Sequence, residues 1–251
     1  MRVNGHRIML SNVRIVLIGT THPGNIGAVA RAMKNMRLEQ LCLVRPKQYP
    51  SAEATARASG ADDLLAKARV FDDLDEALEG CRMVVGASAR LRTVEWPQLT
   101  PRQCAARLLH EAGGGEAALL FGRESSGLSN TELDRCHYLV NIPANPEYPS
   151  LNLSQAVQVL SYELHVGTLD SPSAETVPEL EEVATADGLE RFFDHLSQTM
   201  EETGFADAKQ SKTLNRRLRR LFLRARPDEV ELSILHGILS AARGRKSMGR
   251  P

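Results

Sequence analysis

The sequence is poor in the features that mark secreted, membrane-spanning and metal-dependent proteins. Only four cysteines occur in 251 residues (Cys42, Cys81, Cys104 and Cys136), and none is spaced C-x-x-C. Zinc or iron–sulfur ligation therefore has no support, and buried, idle thiols in a reducing cytosol are expected. The seven histidines lack H-E-x-x-H or comparable ligand spacing, so no metal is expected. No apolar run approaches the roughly 18 residues of a bilayer span, so no membrane partner is expected. The opening MRVNGHRIML lacks the apolar stretch and small-residue cleavage site of a secretory signal, which predicts a cytoplasmic protein. Aromatics make up 4% of the chain against 42% hydrophobic residues, so the core must be mainly aliphatic and alanine-rich.

Net charge is absent too, with 31 Lys/Arg against 31 Asp/Glu, which on its face argues against a nucleic-acid partner. The average hides a segregation. Residues 209–226 (KQSKTLNRRLRRLFLRAR) carry eight Lys/Arg and no acid, so the rest of the chain sums to minus eight. A local excess of this kind is a better signal of a polyanionic partner than the total.

From residue 12 to about 168 the chain alternates short apolar runs with helical stretches. The runs Val13–Ile18, Leu41–Val44, Met83–Gly86, Ala118–Phe121 and Tyr138–Ile142 read as strands buried on both faces. Helices are expected over Asn25–Met36, Asp73–Glu79, Pro101–Glu111, Ser129–Arg135 and Ser154–Leu164, with a capping box at Ser129–Glu132. The alternation predicts an α/β domain with a mainly parallel sheet over 1–168. Residues 169–187, rich in Ser, Thr, Pro and acids, read as a linker, and 188–251 as a small helical module. Its three helical faces are expected to be Leu189/Phe192/Phe193/Leu196/Met200, Leu214/Leu218/Leu221/Phe222 and Val230/Ile234/Ile238/Leu239.

Three segments stand where strands run into helices. Gly19-Thr-Thr-His-Pro-Gly24-Asn25-Ile-Gly27 aims backbone N–H groups at a helix start, where an anion or polar ligand can sit. It fits neither a dinucleotide fingerprint nor a P-loop, whose spacings differ. On the helix that follows, Ile26, Val29, Ala30 and Met33 form a buried stripe and Arg31 points elsewhere. Gly122-Arg123-Glu124-Ser-Ser-Gly127 ends a buried strand, at the edge where open α/β sheets bind ligands. A plain structural loop, with Arg123 and Glu124 paired to each other, reads equally well. Ile142-Pro143, followed by Pro149-Ser150-Leu151-Asn152-Leu153-Ser154, puts two hydroxyls and an amide at a third helix start. Capping by Ser150 or Asn152 explains that segment about as well as ligand binding.

Taken in order, N-x-G-x-x-x-R (Asn25, Gly27, Arg31), F-G-x-E-x-x-G-L (Phe121–Leu128) and I-P…S-L-N-L-S (Ile142–Ser154) resemble the three motifs of the SpoU branch of SPOUT methyltransferases. The stretch Asn145–Leu153, the Val84–Ala89 segment and the helical extension resemble the members that methylate the ribose of tRNA nucleotide 32 in the anticodon loop. The resemblance implies a sheet whose C-terminal part is threaded into a trefoil knot, a homodimer, and S-adenosylmethionine as cofactor. It places the cofactor against Ala87, Ser88, Ala89, Gly122, Ile142, Pro149, Ser150 and Leu151. It implies a catalytic group of Arg31, Asn25, Glu124, Ser150 and Asn152, with Glu124 holding Arg31 or touching RNA. With tRNA as partner, Arg216, Arg217, Arg219, Arg220 and Arg224 become candidate RNA contacts. A SPOUT base methyltransferase is the nearest rival, disfavoured by the presence of Arg31. A non-catalytic RNA-binding protein of the same fold is the other, disfavoured by three intact motifs.

Overall fold

The computed structural model describes residues 10–89, 96–170, 183–206 and 211–244. Most of the predicted linker (171–182), the first nine residues and the start of the basic run (209 and 210) lie outside the described residues. The chain divides into two compact units, 1–180 and 181–251.

In the first unit seven strands form one sheet in the order β3-β2-β1-β6-β4-β7-β5. They are β1 (Val13–Ile18), β2 (Gln40–Val44), β3 (Arg69–Phe71), β4 (Cys81–Ala87), β5 (Gln98–Leu99), β6 (Glu116–Phe121) and β7 (Tyr138–Val140). Every pairing is parallel, so all the carboxyl ends share one edge. The α/β expectation holds. The five long apolar runs are five of the strands; β3 and β5 were not legible, being two or three residues long at the sheet margins. Strand β7 stops two residues short of the predicted Ile142, where the Asn141 amide donates to the Ser88 carbonyl at 3.0 Å and the chain turns away.

Seven helices of this unit are described: α1 (Pro23–Asn35), α2 (Ala52–Ala58), α3 (Asp62–Lys67), α4 (Leu74–Leu78), α5 (Pro101–Ala112), α6 (Asn130–Leu133) and α7 (Leu153–Asp170). The predicted stripe Ile26, Val29, Ala30 and Met33 is fully buried on α1. Helix α1 packs on α2 and α7, and α7 also packs on α5. Gly27 permits the first contact, since a Cβ there would stand 2.0 Å from the Ala54 carbonyl oxygen. The core is aliphatic as expected, and all four cysteines are buried in it or beside it. Burial pushes the Cys81 and Cys104 thiols up to about 12, which keeps them protonated and inert.

One polar residue interrupts β1. The Arg14 guanidinium donates to the Ala77 and Glu79 carbonyls, each at 2.9 Å, and pairs with Glu116, which also accepts from Gln40 at 3.0 Å. Arg14 thus closes the end of α4 from inside the sheet, with its charge compensated.

The second unit holds α8 (Ala186–Glu202), α9 (Ser211–Ala225) and α10 (Glu229–Ala242). Leu189, Phe192, Phe193, Leu223 and Leu232 form its centre, with Phe222 edge-on to Phe192 at 4.7 Å. The predicted face of α8 is correct. That of α10 holds only at Leu239: Val230, Ile234 and Ile238 are 68%, 59% and 59% exposed, and Leu232 and Leu235 turn inward with Leu239. Helix α10 carries two interleaved apolar stripes, and periodicity cannot say which one meets the neighbours. On α9 the buried residue is Leu223, with Phe222 half-buried, whereas Leu221 is 45% exposed.

Candidate functional site

The site lies at the carboxyl edge of the sheet. Strand β1 ends at Ile18, and Gly19 takes a left-handed φ of 59° while its N–H donates to the Val44 carbonyl at 2.8 Å. The chain then enters α1 with Pro23 in the first turn and His22 as N-cap, its Nδ1 accepting from the Gly24 N–H at 3.2 Å. The donors expected of this turn are present, but the anion they hold belongs to the protein. The Glu124 carboxylate accepts from the Thr21 N–H at 3.1 Å, the Thr21 hydroxyl at 3.0 Å and the His22 N–H at 3.3 Å. It also accepts from the Asn25 amide at 3.0 Å. Partial burial would raise the Glu124 pKa, but the Asn25 amide and the backbone N–H groups of Glu124, Thr21 and His22 outweigh it and hold the carboxyl below its ordinary range.

The network continues. The Asn25 side-chain oxygen accepts from the Asn152 amide at 3.2 Å, and Asn152 caps α7 by accepting from the Ser154 N–H at 2.9 Å. Asn25, Glu124 and Asn152, one from each motif and up to 127 residues apart, are thereby tied into one chain of hydrogen bonds. Asn152 is thus both a cap and a tie. The expectation that Glu124 holds Arg31 is corrected: its bonds go to Thr21, His22 and Asn25. Arg123 and Glu124 do not pair with each other. Arg123 donates both terminal nitrogens to Glu132, at 3.1 and 3.0 Å, and Glu132 in turn closes the Ser129 capping box of α6.

Two glycines shape the loop between Arg123 and Glu132. A Cβ on Gly122 would stand 2.1 Å from the Gly127 backbone, which folds back through a bridge between Arg123 and Gly127. Gly127 has a φ of 68°, which a side chain would strain.

Beside the network opens a cleft of about 140 Å³ between the ends of β4, β6 and β7 and the start of α7. Its lining includes all of Ala87, Ser88, Ala89, Gly122, Ile142, Pro149, Ser150 and Leu151. Phe121, Leu128, Val140 and Leu153 add apolar wall, and Glu124 sits at the margin. The Ser150 hydroxyl is exposed and has no partner among the described residues. Arg31 is not part of the lining. It lies on the exposed side of α1, about 9 Å along the axis from Asn25, with no ion pair or hydrogen bond among the described residues.

The five candidate arginines of α9 differ. Arg219 is committed to the fold, donating to both oxygens of Glu190 at 2.6 and 2.7 Å and lying 4.4 Å over the Phe193 ring. Arg217, Arg220 and Arg224 have no side-chain partner among the described residues, whereas Arg216 is not free. Sequence reasoning placed Thr21 and His22 in a turn of free N–H groups but missed that Glu124 occupies it, and missed Glu132 as the partner of Arg123, although the Ser129–Glu132 capping signature named that residue.

Comparison with known proteins agrees with this arrangement. The model of the SpoU rRNA Methylase family matches residues 12–162, and that of the tRNA methyltransferase TrmJ C-terminal domain matches 187–250. The tRNA (cytidine/uridine-2'-O-)-methyltransferase TrmJ of Pectobacterium atrosepticum is 54% identical, over 93% of this chain and 97% of its own. The crystal structure of TrmJ from Z. mobilis ZM4 superposes with a TM-score of 0.81 at 33% identity, covering 91% of this chain and 97% of that one. At the level of fold alone, the SpoU methyltransferase AviRb of Streptomyces viridochromogenes in complex with AdoMet gives a TM-score of 0.52 at 20% identity, over 64% of this chain and 62% of that one. With the three motifs tied together beside one cleft, and both units matched by their own models, the chain belongs to the SpoU methylase family, with a TrmJ C-terminal domain.

Proposed function

We propose that the chain is an S-adenosylmethionine-dependent tRNA ribose 2′-O-methyltransferase, acting on cytidine and uridine at nucleotide 32 of the anticodon loop. The observation that carries the reading is the linkage of three distant motifs through Glu124, Asn25 and Asn152 at the margin of one cleft. The cleft suits the cofactor. Apolar walls from Phe121, Leu128, Val140 and Leu151 can flank a flat purine, and the small residues Ala87, Ser88, Ala89 and Gly122 let it approach the backbone. The threaded knot belongs to this reading, since the loops it would join are the ones that line the cleft. A homodimer and a cytoplasmic setting belong to it as well. No described helix is long and apolar enough to cross a membrane, and no cluster of metal-ligating side chains occurs among the described residues.

When bound, the cofactor supplies an activated methyl group, so no residue has to create an electrophile. What remains is to place a ribose hydroxyl in line and to manage its proton. Ser150, at the cleft with a free hydroxyl, orients the ribose oxygen. Arg31 does not serve as a base, because a guanidinium stays protonated. It acts as a fixed cation toward the developing alkoxide, or as a fork on the neighbouring phosphate. Glu124, Asn25 and Asn152 hold the start of α1 against the start of α7 and so set where Arg31 and Ser150 stand. Arg217, Arg220 and Arg224 of α9 neutralise tRNA phosphates.

Purified protein incubated with labelled S-adenosylmethionine and bulk tRNA tests the reading, followed by digestion to nucleosides. Label in 2′-O-methylcytidine or 2′-O-methyluridine is expected, and chelator should not reduce it. Label on a base would establish the rival methyltransferase, and no label would leave an RNA-binding protein.

A further inference from the structure

Among the described residues four non-glycine residues carry left-handed backbone: Arg37, Arg45, Ser59 and Arg226, with φ of 61°, 48°, 47° and 55°. Three have an ordinary cause. Arg37 follows the end of α1, Ser59 caps α2 and Arg226 follows α9, and left-handed residues commonly close helices. Arg45 has no such cause. It directly follows strand β2 and precedes Pro46, whose ring pushes the residue before it toward extended backbone. Strain of this kind in a residue with a Cβ persists only where surroundings impose it, and it gathers at functional sites.

The surroundings are those of the site. The Arg45 N–H donates to the Phe71 carbonyl at 2.9 Å, and the preceding Val44 carbonyl accepts from Gly19 at 2.8 Å. Two residues on, the Lys47 N–H donates to the Thr20 carbonyl at 3.0 Å. The segment 44–47 is therefore pinned on both sides of the Gly19–Thr21 turn that carries Glu124. Arg45 and Lys47 are exposed, and neither side chain has a hydrogen bond or ion pair among the described residues. Asp72 follows Phe71 in the chain, yet it forms no ion pair with Arg45. Strand β2 lies two strands from β6, whose end begins the cleft, so Arg45 stands roughly 10 Å across the sheet from it.

We propose that Arg45 and Lys47 form an RNA-phosphate rim on the first unit, binding the backbone next to the nucleotide whose ribose enters the cleft. The left-handed turn at Arg45 sets the guanidinium out over the carboxyl edge of the sheet. This rim is distinct from the basic face of α9. It rests on the tRNA reading above.

Full-length wild-type protein, Arg45→Asn, Arg45→Gly and Arg45→Asn/Lys47→Ala are compared for tRNA affinity at several salt concentrations, cofactor affinity and Tm. Asn and Gly both tolerate the left-handed backbone, so folding should be kept and Tm should be unchanged or higher. The double variant should bind tRNA roughly five- to tenfold more weakly at low salt, its log–log salt slope reduced by about two. Its affinity for S-adenosylmethionine should stay within about twofold. Unchanged tRNA affinity and slope in all variants would overturn the rim and leave Arg45 a feature of the fold. An equal loss of cofactor affinity would overturn it too. If the wild-type protein neither binds nor methylates tRNA, the parent reading fails first and the rim falls with it.

Discussion

At the scale of single residues, a protein carboxylate sits where a glycine-rich turn would otherwise receive a ligand. Glu124 satisfies the Thr21 and His22 donors that lead into α1 and links them through Asn25 to the cap of α7. Arg31 on the same helix is left with nothing to bind among the described residues. Arg31→Ala should therefore reduce turnover at least 100-fold, of order 3 kcal/mol in the barrier, as for loss of one preorganised charge donor. Cofactor affinity should stay within about twofold, as measured by calorimetry. Arg31→Lys should also be poor, because a point charge does not replace a planar fork. Equal losses of turnover and cofactor binding would place Arg31 in the cofactor pocket instead. The same residues show what the sequence could tell. The motif spacing named Asn25, Glu124 and Asn152, but not that they bind one another, since their hydrogen bonds span 99 and 127 residues. Arg14 was invisible within an apolar run because its partners, Ala77, Glu79 and Glu116, come from elsewhere in the chain.

At the scale of elements, loops that bear charge are fixed by charge. Burial alone would raise the pKa of Glu132, but the bidentate Arg123 and the Ser129 N–H outweigh it and lower it. A carboxyl titrating lower in the folded chain stabilises it fully above the unfolded value near 4.3 and ceases to as pH falls through the folded value. Thermal melts of Glu132→Gln should accordingly show a smaller loss of Tm between about pH 5 and pH 3 than wild type. Parallel losses would show that the pair contributes nothing specific. On α9 the cations divide between fold and partner. Arg219 is bound to Glu190 and Phe193, whereas Arg217, Arg220 and Arg224 have no partner among the described residues. Replacing these three by alanine should leave Tm nearly unchanged and weaken tRNA binding. The salt slope should fall by up to about three, near 0.9 for each phosphate no longer neutralised. An unchanged slope would reduce this face to a solubility device. Helix periodicity was legible in α8, whose buried face was named correctly. In α10 it was not, because two stripes compete and only tertiary packing selects between them.

At the scale of the whole molecule, an α/β unit with its cleft at the carboxyl edge is joined to a helical unit in which Arg217, Arg220 and Arg224 of α9 have no partner among the described residues. The fold class was legible because strands buried on both faces of a parallel sheet read as unbroken apolar runs. The marginal strands β3 and β5 and the short helices α2 and α3 were not, being too brief to show a period. The account makes a definite claim: the first unit performs a ribose methylation, and the cations of α9 on the second add RNA affinity to that of the first. Mapping of 2′-O-methylated nucleotides in tRNA from cells with and without this protein tests that claim most directly. The account predicts that the 2′-O-methyl group at anticodon-loop nucleotide 32 disappears in the cells lacking it. Wild-type protein should restore the mark and Arg31→Ala should not. An unchanged ribose-methylation map, or loss of a base methylation instead, would contradict it.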